Sequence, residues 1–257
     1  MAAGKELKRR IKSIKNTKKI TKAMELVSAS KMKRAIAATL ASRAYAGYSW
    51  EVLQSLAEYV TETKNPLLTV RPAEKTLVVL ITSNRSLCGG YNSQITRKTI
   101  AFLREHKGEH IDFISVGAKG EGNLRRLGQN IIASFNHMSD TPKLADVYTL
   151  GNMLIDLYKS GQYDRVMIAY TDFVSALTQV PHIATILPVN KEQIAADIAE
   201  ARTAAPVGKI DYVFEPNYDT LMSMLVEKIA RMRVYQMILE STASEHSARM
   251  MAMKNAS

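Results

Sequence analysis

The chain has 257 residues, of which 46% are hydrophobic and 23% are charged, and this is enough for a sizeable core. Its formal net charge is +11. A membrane-spanning helix needs about 18 consecutive apolar residues, and no apolar run in the chain is that long. The single cysteine, Cys88, excludes an internal disulfide. The charged N-terminus lacks the apolar core of a secretory signal peptide, so we expect no such signal. A cleaved mitochondrial presequence is a less favoured interpretation of this basic segment.

Residues 1–65 predict one long helix. They contain no proline before Asn65, and good helix formers fill the segment. Apolar residues, mostly three or four apart, predict one stripe along it: Leu7, Ile11, Ile14, Ile20, Met24, Val27, Met32, Ala35 and Ala38. Such a helix would be about 80 Å long, so it requires a partner helix along its side.

The positive charge is concentrated at the start of this helix. Residues 1–34 hold twelve lysines and arginines against Glu6 and Glu25, which is +10 of the total of +11. Nucleic acid, an anionic membrane surface or an acidic protein socket would each attract such a helix, although many charged faces are only solvated. A nucleic-acid binder would be expected to place aromatic side chains among the lysines, and residues 1–44 contain none.

Beyond Pro66 the pattern predicts an α/β domain. Continuous apolar or β-branched runs predict strands at 76–82, 111–116, 130–135, 165–170 and 179–187. Helices are predicted at 91–105 and 143–160, and a turn with a short helix at 117–127. This alternation predicts a mostly parallel, Rossmann-like sheet over 73–190, with the last two strands pairing antiparallel at one edge. A connection is predicted over 191–216.

A second long helix is predicted over 217–257, where neither glycine nor proline occurs. Asn217 is a suitable N-cap, and apolar residues at nearly the 3.5-residue period predict a coiled-coil seam. We therefore expect the two terminal helices to pair as a long antiparallel coiled coil, with the α/β domain at one end.

The sequence offers no recognisable catalytic, cofactor or metal site. Cys88, Gly89 and Gly90 follow the first strand, where a Rossmann fold binds phosphate, but neither glycine-rich fingerprint is present. We interpret these three residues as a structural turn. The five histidines are scattered, and no cysteine or carboxylate cluster accompanies them, so no metal or cofactor is expected.

Three segments resemble the gamma subunit family of F-type ATP synthases. They are residues 5–32 (KELKRRIKSIKNTKKITKAMELVSASKM), 83–92 (SNRSLCGGYN) and 240–253 (ESTASEHSARMMAM), in the family's order and spacing. The resemblance implies a non-catalytic central shaft inside a ring of alpha and beta subunits. Its foot would meet the epsilon subunit and the c ring, without entering the membrane. It also implies the cytoplasmic face of a bacterial plasma membrane, with the mitochondrial matrix face as the alternative.

The resemblance also implies roles for individual residues. Contact with the alpha and beta ring, or coupling to it, is implied for Lys12, Met24, Lys31, Lys33, Arg34, Glu240, Glu245 and Arg249. Tyr212 matches a position where the foot approaches the c ring. Asn84 and Ser86 depart from the family's usual aspartate and glycine. Family members also continue beyond the position of Ala256, so we expect about the first 15 residues to lack a partner helix.

Overall fold

The computed structural model describes residues 2–59, 65–189 and 218–257, with side chains at 4–42, 65–189 and 220–257. The helices are α1 (Ala2–Tyr59), α2 (Tyr91–Glu105), α3 (Ala118–Arg126), α4 (Leu144–Lys159) and α5 (Tyr218–Asn255). The strands are β1 (Lys75–Ile81), β2 (His110–Val116), β3 (Ile131–Phe135), β4 (Arg165–Phe173) and β5 (Gln179–Leu187), and a short 3-10 helix lies at Pro66–Leu68. The predicted connection 191–216 and Tyr212 fall outside the described residues.

The five strands form one sheet in the order β3-β2-β1-β4-β5. All neighbouring strands are parallel except β5, which pairs antiparallel with β4. The predicted fold class is confirmed, including the antiparallel edge. Strand β1 occupies the centre because six of its seven residues are apolar or β-branched and buried, as a strand covered on both faces requires.

Helices cover both faces of the sheet, and α5 belongs to one of these layers. On one face, Ile95 and Phe102 of α2 and Leu124 of α3 pack against Val78 and Phe113. On the other face, α4 and the first half of α5 share a core with the alternate β1 side chains. Helix α5 therefore contributes to the core of the α/β domain and is also one of the two helices of the coiled coil.

Three serines of α5 attach it to the β4–β5 hairpin. The Thr171 N–H donates to Ser241 Oγ at 3.0 Å, and Ser244 Oγ donates to the Thr171 carbonyl at 3.2 Å. One turn further, Ser247 Oγ donates to the Ala176 carbonyl at 2.7 Å. These bonds fix the position of α5 along its axis relative to the sheet.

The seam that α1 presents to α5 differs from the predicted apolar stripe. Its buried side chains are spaced by seven, four, three, four and three residues, which is a heptad pattern: Thr21, Ser28, Met32, Ala35, Thr39 and Ser42. The hydroxyl groups of Ser28 and Thr39 donate to carbonyls one turn back in α1, so these buried groups need no partner on α5.

The predicted stripe was therefore wrong for most of its members. Leu7, Ile11, Ile14, Ile20 and Val27 are between 44% and 68% exposed. Of the predicted set, Met32 and Ala35 lie fully in the seam, while Met24 and Ala38 are half-buried. Small side chains occupy most of the seam because they let the two helices approach closely. Most of the larger apolar residues lie on the outer face of α1.

Helix α5 reaches α1 no further towards the N-terminus than Thr21, whose Oγ1 lies 2.7 Å from Ser257 Oγ. All described side chains from Gly4 to Ile20 are exposed. Lysines also repeat at i,i+4 there, as at Lys8 and Lys12 or Lys15 and Lys19, and this repulsion disfavours an unsupported helix.

We expect amide hydrogens of residues 5–18 to exchange close to the unprotected rate in the isolated chain. Residues 28–39, whose helix is paired with α5, should be protected by about a hundredfold or more, because their exchange requires separation of the coil. Hydrogen exchange followed by mass spectrometry on the full chain measures both segments together. Equal protection of the two segments would contradict this expectation.

Candidate functional site

The described parts of the chain line an open cavity of about 600 Å³ between the coiled coil and the sheet, which we call the shaft–sheet cavity. Its floor is formed by the carboxyl ends of β1 and β2 with Thr82 and Gly117. Helix α1 contributes residues 20–31, α5 contributes residues 238–249, and the β1–α2 loop contributes residues 84–87. Open α/β sheets place their functional crevices at this edge, and here the coil passes across it.

Charged groups from three parts of the chain meet in this cavity. Lys31 of α1 forms an ion pair with Asp140, which precedes α4. In α5, Arg249 Nη2 lies 2.7 Å from Glu245 Oε1 and also donates weakly to the Ser86 carbonyl at 3.5 Å. The Lys31–Asp140 pair thus connects α1 to the sheet domain, and the hydrogen bond from Arg249 to Ser86 connects α5 to the same domain.

His246 lies between the two ion pairs. Its Nε2 lies 3.3 Å from the Asp140 carbonyl oxygen, and its Nδ1 lies 3.4 Å from Arg249 Nη1. A neutral ring with its proton on Nε2 satisfies both contacts, because that proton reaches the carbonyl and Nδ1 then accepts from the guanidinium. His246 is 3% exposed, so it belongs to the interior of this network.

Burial shifts the titration of these groups in opposite directions. It raises the pKa of Glu245, although Arg249 partly offsets this effect. Burial lowers the pKa of His246 below its ordinary value of 6.5. The hydrogen bond from Lys31 holds the pKa of Asp140 below its usual range. Burial also raises the pKa of Tyr91, which Glu245 reinforces.

We expect His246→Gln to remove an acid-dependent loss of stability. Below about pH 6.5 the unfolded chain binds a proton at this histidine that the folded chain resists, so the free energy of unfolding falls as the pH falls. Between pH 7 and pH 5 the wild type should lose about 1 kcal/mol more than the variant. Glu245, with its raised pKa, acts in the opposite sense, and the variant retains it.

Urea unfolding at several pH values measures this difference. His137→Gln is the matched control, because it removes an exposed histidine that does not line the cavity. An identical pH dependence in the wild type and His246→Gln would contradict a neutral buried imidazole at this position.

The turn that follows β1 forms the outer wall of the cavity. Cys88 is buried, with its Sγ 3.1 Å from Asn92 Nδ2. Asn92 also donates to Ser83 Oγ at 2.7 Å, and its Oδ1 accepts from the Ser83 N–H at 3.0 Å. Gly89 has a φ of +53° and faces the Ala248 carbonyl of α5. Gly90 precedes α2 as its N-cap.

The structure brings some of the residues implied by the resemblance together and separates others. Met24, Lys31, Glu245 and Arg249 line the shaft–sheet cavity. The remaining described ones lie elsewhere: Lys12, Lys33 and Arg34 are exposed on α1, and Glu240 is buried in α5, where it accepts from Gln236 Nε2 at 3.1 Å.

Sequence reasoning missed four residues of the cavity: Asp140, His246, Arg85 and Tyr91. Three of them, Arg85, Tyr91 and His246, lie inside segments quoted for the family resemblance, but nothing in their spacing predicts convergence on Asp140. Within the described ranges, no cluster of histidine, cysteine, aspartate and glutamate could hold a metal ion. No helix in the same ranges is long and apolar enough to cross a membrane.

Comparisons with known proteins agree on one family. A family model described as ATP synthase matches residues 3–257. The ATP synthase gamma chain of Herpetosiphon aurantiacus is 41% identical over 266 residues, and that of Legionella pneumophila (strain Corby) is 34% identical over 258 residues. Each alignment covers 100% of this chain and 87% of the relative.

A solved structure agrees with these relatives. The central stalk and c-ring structure of the mitochondrial ATP synthase from Tetrahymena thermophila includes a chain that superposes with a TM-score of 0.62 at 26% identity, covering 92% of this chain and 99% of that one. With its helical rod, mixed sheet and matching sequence over nearly its full length, the chain belongs to the ATP synthase gamma chain family.

Proposed function

We propose that the chain is the rotating shaft of an F-type ATP synthase and couples proton-driven rotation of the c ring to ATP synthesis or hydrolysis on the beta subunits. The gamma chain itself is a non-catalytic stalk subunit. The observation that carries the proposal is the rod built by α1 and α5. Helix α1 has 58 residues, which corresponds to about 87 Å, so the rod extends well beyond the domain that holds it.

The exposed face of α1 supports contact with an acidic ring of alpha and beta subunits. Lys12, Lys33 and Arg34 are exposed, together with most of the other lysines and arginines before residue 35. Attraction between exposed charges acts over about 10 Å and requires no fixed pairing, so a charged face can slide past its partner. Such a surface suits a shaft that turns inside a stationary ring.

The contacts between the α/β domain and α5 support the transmission of torque from the domain to the coiled coil. Ser241, Ser244 and Ser247 join α5 to the β4–β5 hairpin, and Lys159 of α4 forms an ion pair with Glu227 of α5. Helix α1 meets the domain through Lys31 and Asp140 and meets α5 along the seam. Force applied to the domain therefore reaches α5 first, and α1 follows.

The α/β domain would form the foot of the shaft, with the epsilon subunit and the c ring as partners and Tyr212 on the c-ring side. The complex would lie on the cytoplasmic face of a bacterial plasma membrane. The bacterial gamma chains among the relatives and the central stalk and c-ring neighbour support this arrangement.

Reconstitution tests the proposal. The purified chain is mixed with the alpha and beta subunits of a related bacterial enzyme, and complex formation and ATP hydrolysis are followed. We expect a single co-eluting complex whose hydrolysis rate is about tenfold or more above that of alpha and beta alone. A chain that never enters the complex would contradict the proposal.

Matched charge reversals make this test specific to α1. Replacing Lys12, Lys33 and Arg34 by glutamate should weaken assembly by about tenfold or more at low salt. The same change at Arg97, Lys98 and Arg104, which are exposed on α2, should leave assembly intact. Equal loss in both triple variants would show that net charge, and not the face of α1, drives association.

A further inference from the structure

The shaft–sheet cavity has the size and lining of a small-molecule site. Its volume of about 600 Å³ lies within the range of ligand pockets, which are mostly apolar with a few convergent polar groups. Its apolar lining includes Met24 and Val27 of α1 and Leu87 of the β1–α2 loop, and its charged lining includes Arg85 of the same loop and Arg249 of α5. The cavity therefore offers both apolar and charged groups to a ligand.

The charges that line the cavity do not cancel. Lys31 pairs with Asp140, and Arg249 pairs with Glu245. Arg85 also lines the cavity and is exposed at its rim, and no ion pair of Arg85 occurs among the described residues. The lining thus carries one more positive than negative charge, which favours an anion, and Arg85 also acts on Asp140, whose pKa it helps to lower.

Three large apolar side chains are exposed where the cavity meets solvent. Ile20, Val27 and Leu87 line it and are 61%, 55% and 56% exposed. Leu87 also has a φ of +65°, a backbone conformation that is unfavourable for leucine. Backbone strain of this kind is concentrated at ligand clamps and switches, and here it holds an apolar side chain at the mouth.

We propose that the shaft–sheet cavity binds an organic monoanion with an apolar body, of the class of a medium-chain carboxylate. Its carboxylate pairs with Arg85, and its apolar chain lies against Met24, Val27 and Leu87. This inference goes beyond the proposed shaft function and does not depend on it. Because the site is lined by α1, α5 and the β1–α2 loop, an occupant would stabilise the coil against the domain.

Titration of the full-length chain with decanoate tests the proposal. We expect saturable binding of one decanoate per chain by calorimetry, together with a rise in the midpoint of thermal unfolding. Decylammonium and 1-decanol keep the apolar chain but reverse or remove the charge. They should bind about tenfold more weakly than decanoate.

Two pairs of variants assign the binding to this cavity. Val27→Trp should fill the mouth and abolish saturable binding, while Leu26→Trp, at an equally exposed neighbouring position, should not. Arg85→Gln should weaken decanoate binding by about tenfold and remove the preference over 1-decanol, whereas Arg97→Gln on α2 should change neither. Thermal unfolding without decanoate verifies that each variant folds.

The opposite pattern would overturn the proposal. Decanoate that binds many times per chain, or equally well to Val27→Trp and the wild type, would be bound by the lysines of α1 and not by the cavity. Equal affinity for decanoate and decylammonium would show that Arg85 does not pair with the carboxylate.

Discussion

Gly117→Ala should destabilise the chain by about 4 kcal/mol. A Cβ on Gly117 would lie 2.2 Å from the Thr82 carbonyl oxygen and 2.8 Å from both the Thr82 carbonyl carbon and its Oγ1. The φ of +99° is also unfavourable for any residue with a side chain. The backbone of one strand end must therefore move away from the other.

The movement would spread because the two strand ends are tied together at this point. The Thr82 N–H donates to the Val116 carbonyl at 2.8 Å, and the Gly120 N–H donates to Thr82 Oγ1 at 2.7 Å. Both residues that would clash form the floor of the shaft–sheet cavity. The variant should accordingly lose cavity geometry as well as stability.

Gly122→Ala is the matched control for this prediction. Gly122 lies within α3, and a Cβ there would have no atom within 4 Å. Alanine is the better helix former, so this variant should be about 0.5–1 kcal/mol more stable than the wild type. Urea unfolding followed by circular dichroism compares the three proteins, and a Gly117→Ala variant as stable as the wild type would contradict the close approach.

Arg249→Met should be the second severe change, with a loss of about 3 kcal/mol at pH 8. The side chains of Arg249 and Glu245 are only 10% and 17% exposed. Without the guanidinium, Glu245 would be buried as an unpaired carboxylate, and the hydrogen bond to the Ser86 carbonyl would be lost. Removal of one member of a buried pair costs more than the pair itself contributes.

Two comparisons separate this cause from a loss of packing. The double variant Glu245→Met with Arg249→Met should recover most of the loss, because no buried charge remains. The single variant should lose less at pH 5 than at pH 8, since Glu245 can then accept a proton. A loss that is independent of pH and unchanged in the double variant would refute the unpaired charge as its cause.

The α/β domain could be predicted from sequence because each of its elements carries its own signal. The run from Thr76 to Ile81 is apolar or β-branched, as a doubly covered strand must be, and glycines or prolines separate most elements. The antiparallel edge followed from the short connection between the last two strands, whereas the order of the strands was not predicted. The predicted helix bounds at 91–105 agree fully with α2, while β4 continues three residues past its predicted end at Tyr170.

The coiled-coil seam could not be predicted by the same reasoning. A search for large apolar residues selects Leu7, Ile11 and Ile14, which face solvent, and passes over Thr21 and Ser28, which are buried. Small hydroxyl residues look polar in sequence. In a helix, however, they can bond their own backbone and still fill a narrow seam.

The cavity could not be predicted from the sequence because it is formed by contacts between distant segments. Lys31 and Asp140 are 109 residues apart, and Ser86 and Arg249 are 163 residues apart. Sequence spacing carries no information about such pairs. The family resemblance supplied Lys31, Glu245 and Arg249, but their convergence with Asp140 and His246 became visible only once α1 and α5 were placed against the sheet.

Direct observation of rotation tests the shaft function most directly. A Lys107→Cys variant offers an exposed thiol in the α/β domain, while Cys88 is buried, so a probe can be attached there after assembly with surface-fixed alpha and beta subunits. The account predicts sustained rotation of the probe in one direction during ATP hydrolysis, stopping when ATP is removed. Hydrolysis by the assembled complex with a stationary probe would contradict it.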